Sequence, residues 1–270
     1  MELVGKGIGG KAIEDELEMG SEEHNSERHT YRVWEDPALA AKFLEGIRGG
    51  VPFAAAQIDL MLRVIRASGI TVARVLDIGC GNGILGRAIL DQYPAADGTF
   101  LDLSAAMVAA AEEKLRPYAS RTRVLQGDFG QRAWCAQVAP YGPFDVVVSG
   151  YAIHHQPDAR KRELYGEILH ALSPHGLFLN MEHVLSSCEW AEQAFNDMMI
   201  DSLWAYHQQH GTAKSREDVA RQYVQRDDWS ANILAPLDLQ LQWLRELGYV
   251  EVDCFFKALE LTIFGGRKGT

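Results

Sequence analysis

Cysteine is scarce in this chain. Its 270 residues hold four, Cys80, Cys135, Cys188 and Cys254, and no two form a CxxC pair. That argues against a paired-thiol zinc cage and a disulfide framework, and it fits a reducing, cytoplasmic setting. Basic residues are outnumbered, 26 Lys and Arg against 37 Asp and Glu, for a net charge of −11. Such a balance disfavours non-specific binding to nucleic acid or to an anionic membrane. No uninterrupted apolar run is long enough to cross a bilayer, and no charged-then-apolar signal opens the sequence. The histidines form neither HxH nor HxxxH, so no metal site is expected. His207 and His210, three residues apart on one helical face, reach solvent as readily as an ion.

What is present is a globular composition, 47% hydrophobic and 23% charged. Residues 1–28 are glycine-rich and then acidic, with sparse apolar residues, and read as a flexible leader. Residues 29–270 read as one domain. In "WEDPALAAKFLEGIRGG" Asp36 can cap a helix with Pro37 at its first position. Leu39, Phe43, Leu44 and Ile47 then share a face. A second helix carries Ile58, Leu62 and Ile65 at helical spacing and closes at Gly69. These make lid helices over 35–68.

From Ala73 the pattern alternates. Strand-like runs occur at "RVLDI", "GTFLDL", "TRVLQ", "FDVVVS" and "GLFLNME". Helical stretches lie between them near 84–92, 105–115, 131–138 and 160–172. Alternation of this kind predicts a parallel sheet with helices on both faces. A helical insert over 186–228 breaks the rhythm, and one more helix stops at Gly248. The closing runs "YVEVDCFF" and "LELTIFGG" are too close in sequence for a parallel return, so they form an antiparallel pair.

Three acidic positions stand at strand ends. Gly81-Asn82-Gly83-Ile84-Leu85-Gly86 fits GxGxxG, directly after a strand and opening a helix, as in nucleotide-type loops. Asp102 ends the second strand, where a carboxylate can accept from both ribose hydroxyls. Asp128 follows the third strand, with Phe129 beside it. An acid and an aromatic there suit an adenine, although Asp128 could equally be a helix cap. Asp77 stands just ahead of the glycines. It would repel the pyrophosphate of NAD and would favour a cationic sulfonium ligand.

"VLDIGCGNG" followed in order by "FLDLS", "QGDF", "FDVVVSGYAIHH" and "ALSPHGLFL" resembles the class I S-adenosylmethionine-dependent methyltransferases. The resemblance runs from about Ala73 to Asn180 and extends to the closing strand pair. It implies an α/β Rossmann-like sheet, mostly parallel with a closing antiparallel pair, under a helical lid. It implies S-adenosylmethionine as cofactor and methyl transfer to an O, N or C centre of a small molecule. By that resemblance Asp77, Gly79 and Gly81 hold the methionine part, with Cys80 and Asn82 completing the loop and Cys80 a small buried spacer. Asp102 binds the ribose, Leu103 and Met107 flank the adenine, and Asp128 and Phe129 take its edge and face. Ser149 lines the site after the fourth strand.

Candidate bases lie at the carboxyl ends of strands, where open α/β sheets bind their ligands. His154 and His183 are the catalytic candidates, the first in the loop after the fourth strand and the second at the end of the fifth. His155, Trp204 and His207 are candidates for substrate contact. Tyr31 and Trp34, just before a lid helix, are candidates to cover substrate or cofactor. Phe53, Trp190 and Phe195 are the other lid aromatics. The alternatives are an RNA (tRNA) methyltransferase, a NAD-linked oxidoreductase and a non-catalytic cofactor-binding protein.

Overall fold

A computed structural model describes residues 31–42, 50–226 and 228–270. The expected leader lies outside the described residues, as do Phe43, Leu44 and Ile47 of the first lid helix. That helix, α1 (Pro37–Lys42), starts as its sequence requires, with the Ala38 N–H donating to Asp36 Oδ1 at 2.8 Å. A 3₁₀ turn over Tyr31–Glu35 precedes it.

α2 (Ala54–Ala67) buries Gln57, Met61 and Ile65. The face centred on Ile58 and Leu62 is only half-buried, so the helix is rotated from its expected orientation. The cause is a polar anchor. Gln57 is fully buried, donates to Pro52 O at 2.9 Å and accepts the Tyr151 hydroxyl at 2.6 Å.

The strands are β1 (Arg74–Ile78), β2 (Asp97–Asp102), β3 (Thr122–Gln126), β4 (Phe144–Gly150), β5 (Leu172–His183), β6 (Tyr249–Ala258) and β7 (Leu261–Lys268). They form one sheet in the order β3-β2-β1-β4-β5-β7-β6. β1 to β5 pair in parallel, and β7 runs antiparallel to both β5 and β6. In β1 every residue after Arg74 is buried, the signature of a strand covered on both faces.

Helices α3 (Ile84–Gln92) and α4 (Ala105–Leu115) cover one face together with α2, through Met61, Ile65, Leu85, Ile89, Ala111 and Leu115. The other face carries α5 (Trp134–Val138), α6 (Asp158–Ala171) and α9 (Leu237–Leu247), through Trp134, Leu164, Tyr165, Ile168, Leu241 and Leu244. α5 is shorter than expected and begins at Trp134. The strand order reverses between β2 and β4 on either side of β1, which opens a crevice at the carboxyl ends of these strands.

The insert forms α7 (Glu189–Gln209) and α8 (Arg216–Val224). Phe195, Met199, Ile200 and Leu203 of α7 pack with Val219 and Tyr223 of α8 and with Leu261 at the start of β7. Arg216 bridges to Asp201 at 2.6 Å on the outer side. The cap is thereby seated over the carboxyl end of β5.

Candidate active site

The loop after β1 is shaped by its backbone. Gly79 and Cys80 both donate their N–H to Leu101 O, at 2.8 and 3.0 Å, which joins the tips of β1 and β2. Asp102 accepts the Gly81 N–H at 2.8 Å on Oδ2 and the Ser104 N–H at 2.9 Å on Oδ1. Gly79 adopts φ 64°. A Cβ there would stand 2.4 Å from that of Ala152 and 3.2 Å from the Phe129 ring. Glycine therefore keeps the floor of the crevice open.

Above this floor is a cleft of about 620 Å³, its open mouth included. Gly79, Gly81, Asp102, Leu103, Met107, Asp128 and Phe129 line it, with Tyr31, Trp34 and His155 from the candidate substrate set. Tyr31 donates to Asp128 Oδ2 at 3.1 Å, and the Gly130 N–H donates to Oδ1 at 2.8 Å. Burial raises the Tyr31 hydroxyl above its ordinary range, so it stays a donor at neutral pH. The donor set suits an adenosyl group: two carboxylates as acceptors, apolar faces between them and a backbone floor without side chains. The residues present fit S-adenosylmethionine.

Four expected cofactor contacts lie behind the cleft instead of on it. Asp77 is 1% exposed, and its Oδ2 accepts the Gly86 N–H at 2.8 Å, so its carboxylate clips the loop to the first turn of α3. Ser149 is buried and donates to Ile78 O at 2.8 Å, tying β4 to β1. Cys80 is a buried spacer whose thiol faces Gly81 O at 3.5 Å. Asn82 has a buried Oδ1 with no hydrogen-bond partner among the described residues, and it too is off the cleft wall.

A second cavity, about 540 Å³ with its mouth, adjoins the first. His154, His155, His183, Phe195, Met199, Tyr223, Arg226, Asp228 and Asn232 are among its lining residues. Trp34, Tyr151 and His155 line both cavities. Tyr151 has φ 53°, rare for a bulky residue and a mark of stored strain. Its N–H donates to Met181 O at 2.8 Å and its hydroxyl to Gln57, so both ends are pinned.

The histidines form a cluster with carboxylates behind it. The ring of His154 lies 4.0 Å from that of His155 and 5.7 Å from that of His183, centre to centre. His154 Nδ1 is 2.6 Å from Glu182 Oε1, and His183 Nε2 is 2.6 Å from Glu260 Oε2. Burial holds His154 and His155 well below the ordinary imidazole range and raises Glu182. Glu182 also accepts the His183 N–H at 2.9 Å and the Asn180 amide at 3.3 Å. At that distance His154 Nδ1 and Glu182 Oε1 share one proton between them. The Asn232 side chain also hydrogen-bonds the His154 ring and favours its charged form, against the larger effect of burial. His155 donates from Nδ1 to Ala231 O at 3.0 Å, and Ile233 N–H donates to His154 O at 2.9 Å. These bonds fasten the end of the cap to the loop after β4.

Trp204 and His207 line neither cavity. Trp204 is 38% exposed on α7, and His207 points away with Tyr206 as its ring neighbour. Trp190 and Phe53 are also exposed, whereas Phe195 is buried against His183 at 4.9 Å between ring centres. Among the described residues no group of three His, Cys, Asp or Glu side chains is placed to hold a metal ion. Sequence reasoning missed Tyr151, Arg226 and Asn232. Tyr151 lies in the same strand-end loop as His154 and could have been found by that placement. Arg226 sits between Tyr223 and Trp229 in sequence, a signal that reads as an ordinary solvated helix end.

A sheet of this order, with a glycine floor and the acids Asp102 and Asp128 on the cleft wall, is a Rossmann-like fold with a nucleoside-type cleft. Residues 75–176 match the family model described as a methyltransferase domain. The chain is 20% identical to a carboxy-S-adenosyl-L-methionine synthase of Nautilia profundicola, over 82% of this chain and 88% of that protein. It is 30% identical to an uncharacterized methyltransferase of Bacillus subtilis, over 57% of this chain and 59% of that protein. Among solved structures it resembles human N-acetylserotonin methyltransferase in complex with SAM, with a TM-score of 0.59 and 16% identity. That match covers 90% of this chain but only 59% of the other, so this chain spans about three fifths of the structure it resembles. Residues 75–176 carry a methyltransferase domain, on the fold of the class I S-adenosylmethionine-dependent methyltransferases.

Proposed function

We propose that the protein transfers the methyl group of S-adenosylmethionine to a small-molecule acceptor held in the histidine-lined cavity. The observation that carries this is the shared wall: Trp34, Tyr151 and His155 border both the adenosyl-type cleft and the second cavity. A donor in one and an acceptor in the other would meet at that wall. The net charge of −11 and the small size of the second cavity favour a small acceptor over RNA.

When bound, S-adenosylmethionine supplies a methyl group on a cationic sulfur that is already activated for displacement. The chain's own work is then positioning, which can be worth about 7–11 kcal/mol. Asp102 would accept from the ribose hydroxyls, Asp128 from the adenine amine, and Phe129, Leu103 and Met107 would enclose the base. Gly79 and Gly81 would let the backbone approach the methionine end. Asp77 would act through the loop it clips. Tyr31 would orient Asp128, and Trp34 would close the junction.

His154 Nε2 would take the proton of an acceptor hydroxyl or amine, and Glu182 would stabilise the imidazolium formed. His183 with Glu260 offers a second base on the same wall. The segments 35–68 and 186–228 would act as the lid and cap of a single domain over 29–270. All four cysteines are free thiols, which supports a cytoplasmic setting. Among the described residues no helix is long and apolar enough to cross a membrane.

The test is incubation with methyl-labelled S-adenosylmethionine and a pool of small hydroxyl and amino compounds. Release of S-adenosylhomocysteine with label in a small product is the expected result. His154→Gln should slow turnover by about 10²–10⁴-fold, the usual contribution of a general base, with affinity for S-adenosylhomocysteine unchanged. Label transferred only to tRNA, or full turnover in the variant, would contradict the reading.

A further inference from the structure

The second cavity holds one cation in an unusual setting. The Arg226 guanidinium carbon lies 4.5 Å from the centre of the Tyr223 ring and 5.1 Å from that of Trp229. Two aromatic faces therefore fix its plane. Its side chain is only 14% exposed. Asp228 Oδ1 lies 3.3 Å from Nε, but off the N–H line, and Nε makes no hydrogen bond among the described residues. Asp228 balances its charge and the Tyr223 side chain hydrogen-bonds it, which engages only part of its five-donor planar fork among the described residues.

The surroundings say which ligand. Arg226 and His154 line the same cavity, and the charge of Arg226 is felt at the His154 ring. Among the described lining residues Arg226 and Asp228 carry formal charge, while Glu182 and Glu260 pair with the histidines behind the wall. The neutral His154 and His155 add no positive charge. We propose that Arg226 recognises a carboxylate on the methyl acceptor, so that the acceptor is a small carboxylic acid with its nucleophilic atom turned toward His154. A carboxylate matches the planar fork of the guanidinium. A phosphate dianion would place a second negative charge against Asp228 with no further cation to balance it. The inference rests on the second cavity being the acceptor site.

The experiment uses the full chain saturated with S-adenosylhomocysteine, with benzoate as the probe. ¹H–¹⁵N spectra follow the Arg226 Nε–H signal, identified by its loss in Arg226→Lys. The expected result is a saturable shift with benzoate and binding at least tenfold weaker for benzamide and for inorganic phosphate. Arg226→Gln should weaken benzoate at least tenfold and leave S-adenosylhomocysteine affinity unchanged. Arg226→Lys, which keeps the charge but not the fork, should fall between. A wild type that binds S-adenosylhomocysteine but gives no saturable response to benzoate overturns this inference alone. Equal binding of benzamide, tighter binding of phosphate, or unaltered benzoate affinity in Arg226→Gln overturns it as well. Failure of the wild type to bind S-adenosylhomocysteine would instead remove the methyl-transfer reading beneath it.

Discussion

Replacing Gly79 by alanine separates two costs that usually come together. Gly79 and Gly69 have nearly the same backbone, φ 64° and φ 69°. An alanine at either pays about 1–2 kcal/mol for the left-handed conformation. Their surroundings differ. A Cβ at Gly69 meets nothing within 4 Å, whereas at Gly79 it meets Ala152 Cβ at 2.4 Å and the Phe129 ring at 3.2 Å. Carbon atoms prefer about 3.5–4.0 Å, so Ala152 must retreat by more than about 1 Å. Overpacking of that kind costs about 1–3 kcal/mol beyond the backbone term. At about 2–4 °C per kcal/mol, Gly79→Ala should melt about 2–12 °C below Gly69→Ala. Ala152 and Phe129 both line the cleft, so Gly79→Ala should also weaken S-adenosylhomocysteine, and Gly69→Ala should not. Thermal melts with and without S-adenosylhomocysteine measure both effects. Two variants that melt together and bind alike would refute the claim that this glycine keeps the cleft open.

Two further expectations follow from buried polar groups. His154 and His155 are held below the ordinary imidazole range, so below about pH 6.5 the unfolded chain binds more protons than the folded one. Stability should therefore fall as pH drops from about 7.5 to about 6, and His155→Gln should flatten the slope. Glu182, raised by burial, works in the opposite sense in its own window above the ordinary carboxylate range. A melting temperature independent of pH over that interval would count against neutral buried histidines. Gln57→Ala should leave the Tyr151 hydroxyl and Pro52 O without their partner, at a cost of about 1–3 kcal/mol. Guanidinium denaturation would register it, and a change below about 0.5 kcal/mol would remove the anchor from the account.

The sheet was legible because its signals are local. β1 and β3, and the helices α3 and α4, have the bounds that alternation and apolar spacing predicted. Asp102, Asp128 and Phe129 reach one cleft because all three follow strand ends of a parallel sheet, and that placement is set by topology. Asp77 shows where such reasoning stops. Its position in the strand was right, but its carboxylate turns to the Gly86 N–H, a partner supplied only by the three-dimensional turn. The rotation of α2 was hidden for a similar reason, since a buried glutamine contradicts the apolar period and is stabilised by Pro52 and Tyr151. The acceptor cavity was least legible. Arg226 and Asn232 join it through docking of the cap, and Trp204 and His207 leave it, because long-range packing decides which face of α7 turns inward.

The cofactor site tests the account most directly, because every later step depends on it. Calorimetry with S-adenosylhomocysteine on the wild type and on Asp102→Ala measures it. The account predicts clear binding by the wild type and at least tenfold weaker binding by the variant, about 1.4 kcal/mol or more. Equal affinity in the two proteins would contradict the assignment of Asp102 to the ribose, and no binding by the wild type would contradict the cofactor site as a whole.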